Sequence, residues 1–275
     1  MATTRIDDQY ATGLSRRNIE QALTGAGLDL DRLQPADLGV LEDFHTMGRI
    51  ATSQLIELAG ITSQTAVLDA GSGVGGTARY IADRYGCTVT AVDLTEEYCD
   101  TARWLNQLVG LDDRIAVRAA DVTALPFADS TFDVVVSQHV QMNVADKTTL
   151  YREARRVLHD GGILALWDIT RGQGDEPEFP LPWADEAGVS HLATPDDLRV
   201  TVESSGFVVE QWNDLTDQAS AVMQALLSQP VGPLGLHAFV PDFARKAHNL
   251  TAGLSDGRLR AVQGIARASG QSPCS

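Results

Sequence analysis

A short apolar run empties into a glycine-rich turn at Val67-Leu68-Asp69-Ala70-Gly71-Ser72-Gly73-Val74-Gly75-Gly76-Thr77, and a helical pattern begins at once. Glycine reaches positive φ and lets the backbone approach a ligand closely, while the helix start offers unpaired N–H groups. The run is one member of an alternating series. Short apolar segments at Ala66–Leu68, Cys87–Val92, Ile115–Arg118, Phe132–Val136 and Ile163–Trp167 are separated by helical patterns at Gly76–Tyr85, Glu96–Val109 and Lys147–Leu158. Strands alternating with helices at this spacing predict βαβ units, a parallel sheet and helices on both faces, an α/β fold.

Around this core lie three less regular stretches. Residues from about Ile6 to Gly60 read as helical, with Ile50, Leu55, Ile56, Leu58 and Ala59 forming a stripe that stops at Gly60. This gives the expected division: a helical lid over 1–60 and a core over 61–275. A polar, Pro-rich excursion over 171–192 carries Phe179, Trp183, Asp185 and Glu186 and predicts a cap over the ligand-bearing edge of the sheet. Alternation resumes at Thr194, placed to cap a helix that begins with Pro195. A strand at Phe207–Trp212, two helical segments between Asp217 and Gly253, and a last strand at Leu259–Ala266 complete the series.

Composition narrows the partners. The formal net charge of -16 repels phosphate backbones and anionic lipid headgroups, so neither nucleic acid nor a membrane is an expected partner. The residues from Met1 to Asp8 lack the apolar core of a secretion signal, and no run is long enough to span a bilayer, so a cytoplasmic location is expected. Cys87, Cys99 and Cys274 have no metal-like spacing, and no metal site is expected. Cys87 and Cys99 read as small core residues rather than nucleophiles.

Gly71, Gly73 and Gly76 also satisfy the dinucleotide spacing G-x-G-x-x-G, so the turn alone leaves an NAD(P) oxidoreductase open. Asp69 argues for another ligand, because a carboxylate there meets a cationic methionine moiety but repels a pyrophosphate. The helical preamble before the first strand also suits a chain that folds its own lid over a cofactor. Asp93, ending the second strand, is placed to accept both ribose hydroxyls, a role that serves either cofactor. Asp121, in Ala120-Asp121-Val122-Thr123-Ala124-Leu125-Pro126-Phe127, is placed to accept from an adenine amine. The strand from Phe132 then delivers Ser137 to Asn143 beside the reactive group.

Together, residues 66–168 resemble the core of class I S-adenosylmethionine (SAM) dependent methyltransferases. The D-x-G-x-G turn, the acidic second-strand end, the Asp-x-x-x-Leu-Pro-Phe segment and the Arg-Val-Leu-x-x-Gly-Gly turn from Arg156 to Gly162 carry the likeness. The nearest branch is the small-molecule one, with ubiquinone/menaquinone C-methyltransferases, tocopherol methyltransferases and sarcosine/dimethylglycine N-methyltransferases. The resemblance implies a Rossmann-like seven-stranded sheet with its last strand antiparallel. It also implies SAM as cofactor, held by Asp69, Gly71, Ser72, Gly73, Asp93, Leu94, Asp121, Val122 and Gln138.

Methyl transfer from a sulfonium needs alignment and water exclusion more than covalent machinery, with proton removal where the nucleophile is an amine, phenol or acidic carbon. His139 is the candidate base, with a packed, hydrogen-bonded imidazole as the equal alternative reading; Asp168 is the second candidate. His45, Met142, Asn143 and Trp183 are placed on the acceptor side, although His45 and Trp183 each have a structural reading as well. A SAM-binding protein without turnover is the non-enzymatic rival.

Overall fold

The computed structural model describes residues 13–42, 45–230 and 232–270. The remaining residues of the expected lid (1–12, 43 and 44), and Cys274, lie outside the described residues. Seven strands form one sheet: β1 (Ala66–Ala70), β2 (Thr88–Asp93), β3 (Ile115–Ala119), β4 (Phe132–Gln138), β5 (Leu158–Arg171), β6 (Phe207–Asp214) and β7 (Leu259–Ala268). Their order is β3-β2-β1-β4-β5-β7-β6. The first five pair in parallel, and β7 runs antiparallel between β5 and β6, as the resemblance implies.

Nine α-helices accompany the sheet among the described residues: α1 (Ser15–Gly25), α2 (Pro35–Glu42), α3 (Arg49–Ala59), α4 (Gly76–Tyr85), α5 (Glu96–Leu108), α6 (Lys147–Val157), α7 (Pro195–Ser204), α8 (Thr216–Leu227) and α9 (Phe243–Ser255). Local chemistry fixes several ends. α3 stops at Gly60, whose φ of 67° only glycine adopts without strain. α7 starts where Thr194 accepts from the Asp197 amide at 3.2 Å and Pro195 opens the first turn.

Side chains alternate along β5 as the pleat demands. Ala165, Trp167 and Ile169 join Leu55 and Ile56 of α3, Ile81 of α4 and Leu250 and Leu254 of α9 on one face. Leu164 and Leu166 join Leu150 and Tyr151 of α6 and Leu198 of α7 on the other. A third apolar cluster sits beside the sheet. There Ile19 and Leu23 of α1 and Leu38 and Leu41 of α2 pack with Val74, Tyr98 and Trp104, and with Phe239 and Val240 from the α8–α9 connection.

Two elements differ from the sequence expectation. β5 extends to Arg171 rather than stopping near Trp167, because β7 pairs with it through Arg171↔Leu259. Asp168 is therefore inside the strand and does not end it. The described part of the helical preamble holds three α-helices and a 3₁₀ turn (Leu30–Arg32), broken where Gly27 and Gly48 take positive φ. The excursion leaves and returns at one place, since the Arg171 amide donates to the Ala193 carbonyl at 2.8 Å. Inside it Leu181, Trp183 and Ala184 are buried in the apolar cluster that also holds Trp167.

Candidate active site

The strand order reverses between β1 and β4, so a crevice opens beyond their carboxyl ends. The glycine-rich turn occupies the β1 side of it. The Gly71 and Ser72 amides donate to the Val92 carbonyl at 2.8 and 2.9 Å, which draws the turn across to β2. Gly71 has φ 81°, and a Cβ there would come within 2.4 Å of the Val140 side chain. The turn can therefore seat against the loop after β4 only because this residue is glycine. Gly73 has φ 54°, and a Cβ there would meet open space.

Asp93 organises the turn from β2. One carboxylate oxygen accepts from the Gly73 amide at 2.8 Å and the other from the Thr95 amide at 2.9 Å. Each carboxylate oxygen has capacity for a further donor, so this anchoring is compatible with ribose recognition. Asp121 is held in an Asx turn, accepting from the Thr123 amide and hydroxyl at 2.8 and 2.7 Å. Arg156 of α6 fastens the segment that follows by donating to the Phe127 and Leu125 carbonyls, while Glu153 accepts from the Leu125 amide. The Leu-Pro-Phe segment and the Arg-Val-Leu turn thus form one structural unit. Leu94 and Val122 are half-buried beside these carboxylates.

Three buried polar atoms in and beside the glycine turn lack a protein hydrogen-bond partner: Asp69 Oδ2 of β1, Ser72 Oγ of the turn and Gln138 Oε1 at the end of β4. Asp69 and Gln138 lie on the sheet face of Val67 and Val136, whereas Ser137, whose Oγ is also unpaired, alternates to the opposite face with Val135. Buried polar atoms are nearly always paired, so those beside the turn are open to a polar ligand, with carboxylate and amide oxygens for an ammonium and a hydroxyl for a carboxylate. Burial pushes the Asp69 carboxyl up to about 7, with the neighbouring Asp93 charge adding to the rise and the Ala78 amide and Arg79 opposing it. The amide of Gln138 is turned by donation to the Thr77 hydroxyl at 2.7 Å. Together with the Asp93 carboxylate and the opening at Gly73, these residues fit SAM.

On the far side of the crevice, His139 is half-buried at φ 56°, its backbone amide donating to the Trp167 carbonyl at 2.8 Å. Its Nε2 accepts from the Thr46 amide at 3.3 Å, which places the ring proton on Nδ1 in the neutral form. Burial and the nearby His45 hold its pKa well below the ordinary imidazole value. His45 lies 6.0 Å away, ring to ring, hydrogen-bonded through Nε2 to the Thr52 hydroxyl, and burial lowers its pKa to about 4. Both imidazoles are neutral at pH 7.

Asp168 is fully buried and alternates with Trp167, so it points to the α6 side of the sheet. Its Oδ1 accepts from the Val140 and Gln141 amides at 3.0 and 3.4 Å, which ties it to the loop's backbone. Burial lifts its carboxyl to about 8 against the pull of those amides and of Lys147. Met142 is fully buried and Trp183 nearly so, both in the core face that also holds Trp167. The Trp183 indole donates to Ser190 Oγ at 2.9 Å. Asn143 is half-buried at the end of the loop.

Several residues that shape the site carried no sequence signal of their own. Arg79 is fully buried on α4, donating to Asn106 at 2.8 Å and to the Val74 carbonyl of the turn. A cation at an otherwise apolar helix position, between Ala78 and Ile81, was the available clue. Thr46 and Trp167 read as ordinary neighbours in the chain, although they meet across the crevice. Among the described residues no cluster of His, Cys, Asp or Glu could hold a metal ion.

A family profile described as a methyltransferase domain matches residues 68–166, the span from β1 to β5. The sarcosine/dimethylglycine N-methyltransferase of Halorhodospira halochloris is 37% identical over 153 residues, which cover 55% of this chain and 54% of that protein. The chain therefore spans about half the length of that relative. Methyltransferase GfsG of Streptomyces halstedii is 31% identical over 210 residues, 74% of this chain and 71% of GfsG. Geranyl diphosphate C-methyltransferase from Streptomyces coelicolor A3(2), 17% identical, superimposes with a TM-score of 0.68 over 81% of this chain and 78% of that one, and shows the shared fold. These likenesses leave the dinucleotide reading of the glycine turn without support. With a buried carboxylate at the glycine turn, a second at the end of β2 and these likenesses, the chain belongs to the SAM-dependent methyltransferases.

Proposed function

We propose that this protein transfers a methyl group from SAM to a nitrogen, oxygen or carbon nucleophile of a small molecule by in-line displacement. The observation that carries the reading is the set of unpaired buried polar atoms on Asp69, Ser72 and Gln138 in and beside the glycine turn, whose Gly73 amide is held by the Asp93 carboxylate. When bound, SAM supplies an electrophilic methyl on a sulfonium. Asp69 and Gln138 hold the amino-acid end, Asp93 the ribose and Asp121 the adenine amine, and Leu94 and Val122 flank the purine. The acceptor lies between the loop from Gln138 to Asn143, the segment at His45 and the excursion holding Trp183.

On the acceptor side the chain presents two neutral imidazoles rather than fixed charges. That environment accommodates an uncharged amine, hydroxyl or activated carbon and leaves positioning as the main contribution. His139 remains the nearest titratable group to the acceptor, but its Nε2 is engaged by Thr46. Asp168 is further removed, because its side chain is turned to the α6 layer and serves two loop amides.

The test is methyl release. The protein is incubated with SAM labelled in the transferable methyl, together with sarcosine, dimethylglycine, geranyl diphosphate or a panel of neutral amines and hydroxyl compounds. The expected result is acceptor-dependent formation of S-adenosylhomocysteine with one chemical class. Tight SAM binding with no acceptor-dependent turnover across that panel would instead leave a binding protein.

A further inference from the structure

We infer that His139 and Trp167 together clasp the peptide groups of Thr46 and so fasten the amino-terminal segment over the acceptor side of the site, making His139 a positioning residue rather than the proton acceptor. The role assigned to this crevice rests on the methyltransferase reading above; the clasp itself is read from the contacts. Two side chains, one from the loop after β4 and one from β5, grip opposite sides of one short stretch of backbone. The Thr46 amide donates to His139 Nε2 at 3.3 Å, and the Trp167 Nε1–H donates to the Thr46 carbonyl at 3.1 Å. The main chains that carry the two rings are themselves tied, the His139 amide donating to the Trp167 carbonyl at 2.8 Å.

Backbone strain is concentrated on both sides of this contact. Met47 has φ 68° and His139 φ 56°, two of the four non-glycine residues with positive φ among those described. Such conformations cost free energy and persist where surrounding contacts over-determine them, typically at sites that must hold a geometry. On the His139 side the determinants are visible. Asp168 draws in the Val140 and Gln141 amides, and the Gln141 side chain donates to the Ile169 carbonyl at 2.6 Å. Val140 in turn abuts Gly71 of the cofactor turn. The clasp therefore sits one residue from the wall of the cofactor site.

The clasp also fixes the position of unpaired polar atoms. His45 Nδ1 and Thr46 Oγ1 are buried without a protein partner. Fastening Thr46 brings both into the crevice wall, where they recognise a hydrogen-bonding acceptor. His139 Nε2 is spent on the Thr46 amide and is a poor proton acceptor while the clasp is closed.

Hydrogen exchange at the Thr46 amide, read in wild type, His139→Ala, His139→Gln and Trp167→Phe, tests this, with S-adenosylhomocysteine as the ligand probe. Glutamine places an acceptor where Nε2 stands but cannot serve as a base at neutral pH. The clasp predicts that His139→Ala speeds exchange by about tenfold or more, that Trp167→Phe moves it the same way, and that His139→Gln restores protection to within about threefold. Affinity for S-adenosylhomocysteine is expected to stay within about threefold throughout, which shows that each variant is folded. Methyl transfer should follow protection, so that glutamine recovers it. Unchanged exchange in His139→Ala, or glutamine that restores protection without turnover, would overturn the proposal, the latter by returning the base role to His139. Absence of S-adenosylhomocysteine binding to wild type would instead sink the cofactor reading, while the exchange rates of the free protein still report on the clasp.

Discussion

Asp69 sits where burial holds a carboxyl near pH 7, and this makes cofactor binding pH-dependent in a definite direction. A docked ammonium favours the ionised form, so a proton leaves as ligand binds. Affinity for S-adenosylhomocysteine should rise as pH increases from 5.5 towards 7, by up to about tenfold per unit, and level off above. Calorimetric titration across that range checks it, and Asp69→Asn should flatten the curve; a flat wild-type curve would remove Asp69 from the ammonium site. Asp168 gives a prediction about stability. Its folded pKa, raised from 3.8 to about 8, means that the folded state holds the proton more tightly than the unfolded one. Its contribution is then fully present below about 4 and lost as pH rises through 8. Asp168→Asn keeps an oxygen for the Val140 and Gln141 amides but carries no titrating proton, so its melting temperature should gain on wild type between pH 6 and 9. A gap that stays constant over that range would contradict the assignment. The sequence singles out Asp69 as the acidic head of the glycine-rich motif, and Asp93 and Asp121 by their strand-end positions. It does not mark Thr46, whose partner His139 is 93 residues away, since a main-chain group offers no residue type to notice.

At the scale of elements, the amino-terminal helices are joined to the core by unlike means. α3 buries Ala51, Leu55 and Ile56 against the sheet and belongs to the core in packing. α1 is instead capped from another helix, with the Glu97 carboxylate of α5 accepting from the Gly13 and Ser15 amides at 2.7 Å each. Burial would raise the Glu97 pKa, but the hydrogen bonds from Ser15, Gly13 and Leu14 outweigh it and hold it below its ordinary value. Glu97→Ala should therefore weaken α1 docking by about 0.5–2 kcal/mol, the usual range for a lost helix cap. Hydrogen exchange should show faster opening confined to residues 13–25, and uniform loosening of the whole chain would argue against a local cap. The expected lid thus consists of a docked helix pair and a core helix joined by the clasped segment at Thr46. Periodicity revealed the helices, because α3 and the core helices alternate buried and exposed faces. It did not reveal the α8–α9 connection, where Phe239 and Val240 pack on α1 and α2. Those side chains follow no regular period, and their partners lie some two hundred residues earlier.

Across the whole molecule, the parallel half of the sheet follows from strand–helix alternation, whereas the insertion of β7 between β5 and β6 followed only from resemblance. Local sequence sets the existence of a strand, but its neighbours are chosen by long-range packing. No helix of the described residues is long and apolar enough to cross a membrane, and the net charge of -16 disfavours polyanionic partners, both in keeping with a small-molecule acceptor. We propose SAM at the β1–β4 crevice with its ribose on Asp93. Calorimetric titration of S-adenosylhomocysteine into wild type and Asp93→Ala, with NADH as the control ligand, tests this most directly. The prediction is one site per chain in wild type, a loss of at least about tenfold in affinity in the variant with the melting transition preserved, and no heat from NADH. Undiminished binding by Asp93→Ala, or binding of NADH in place of S-adenosylhomocysteine, would contradict it.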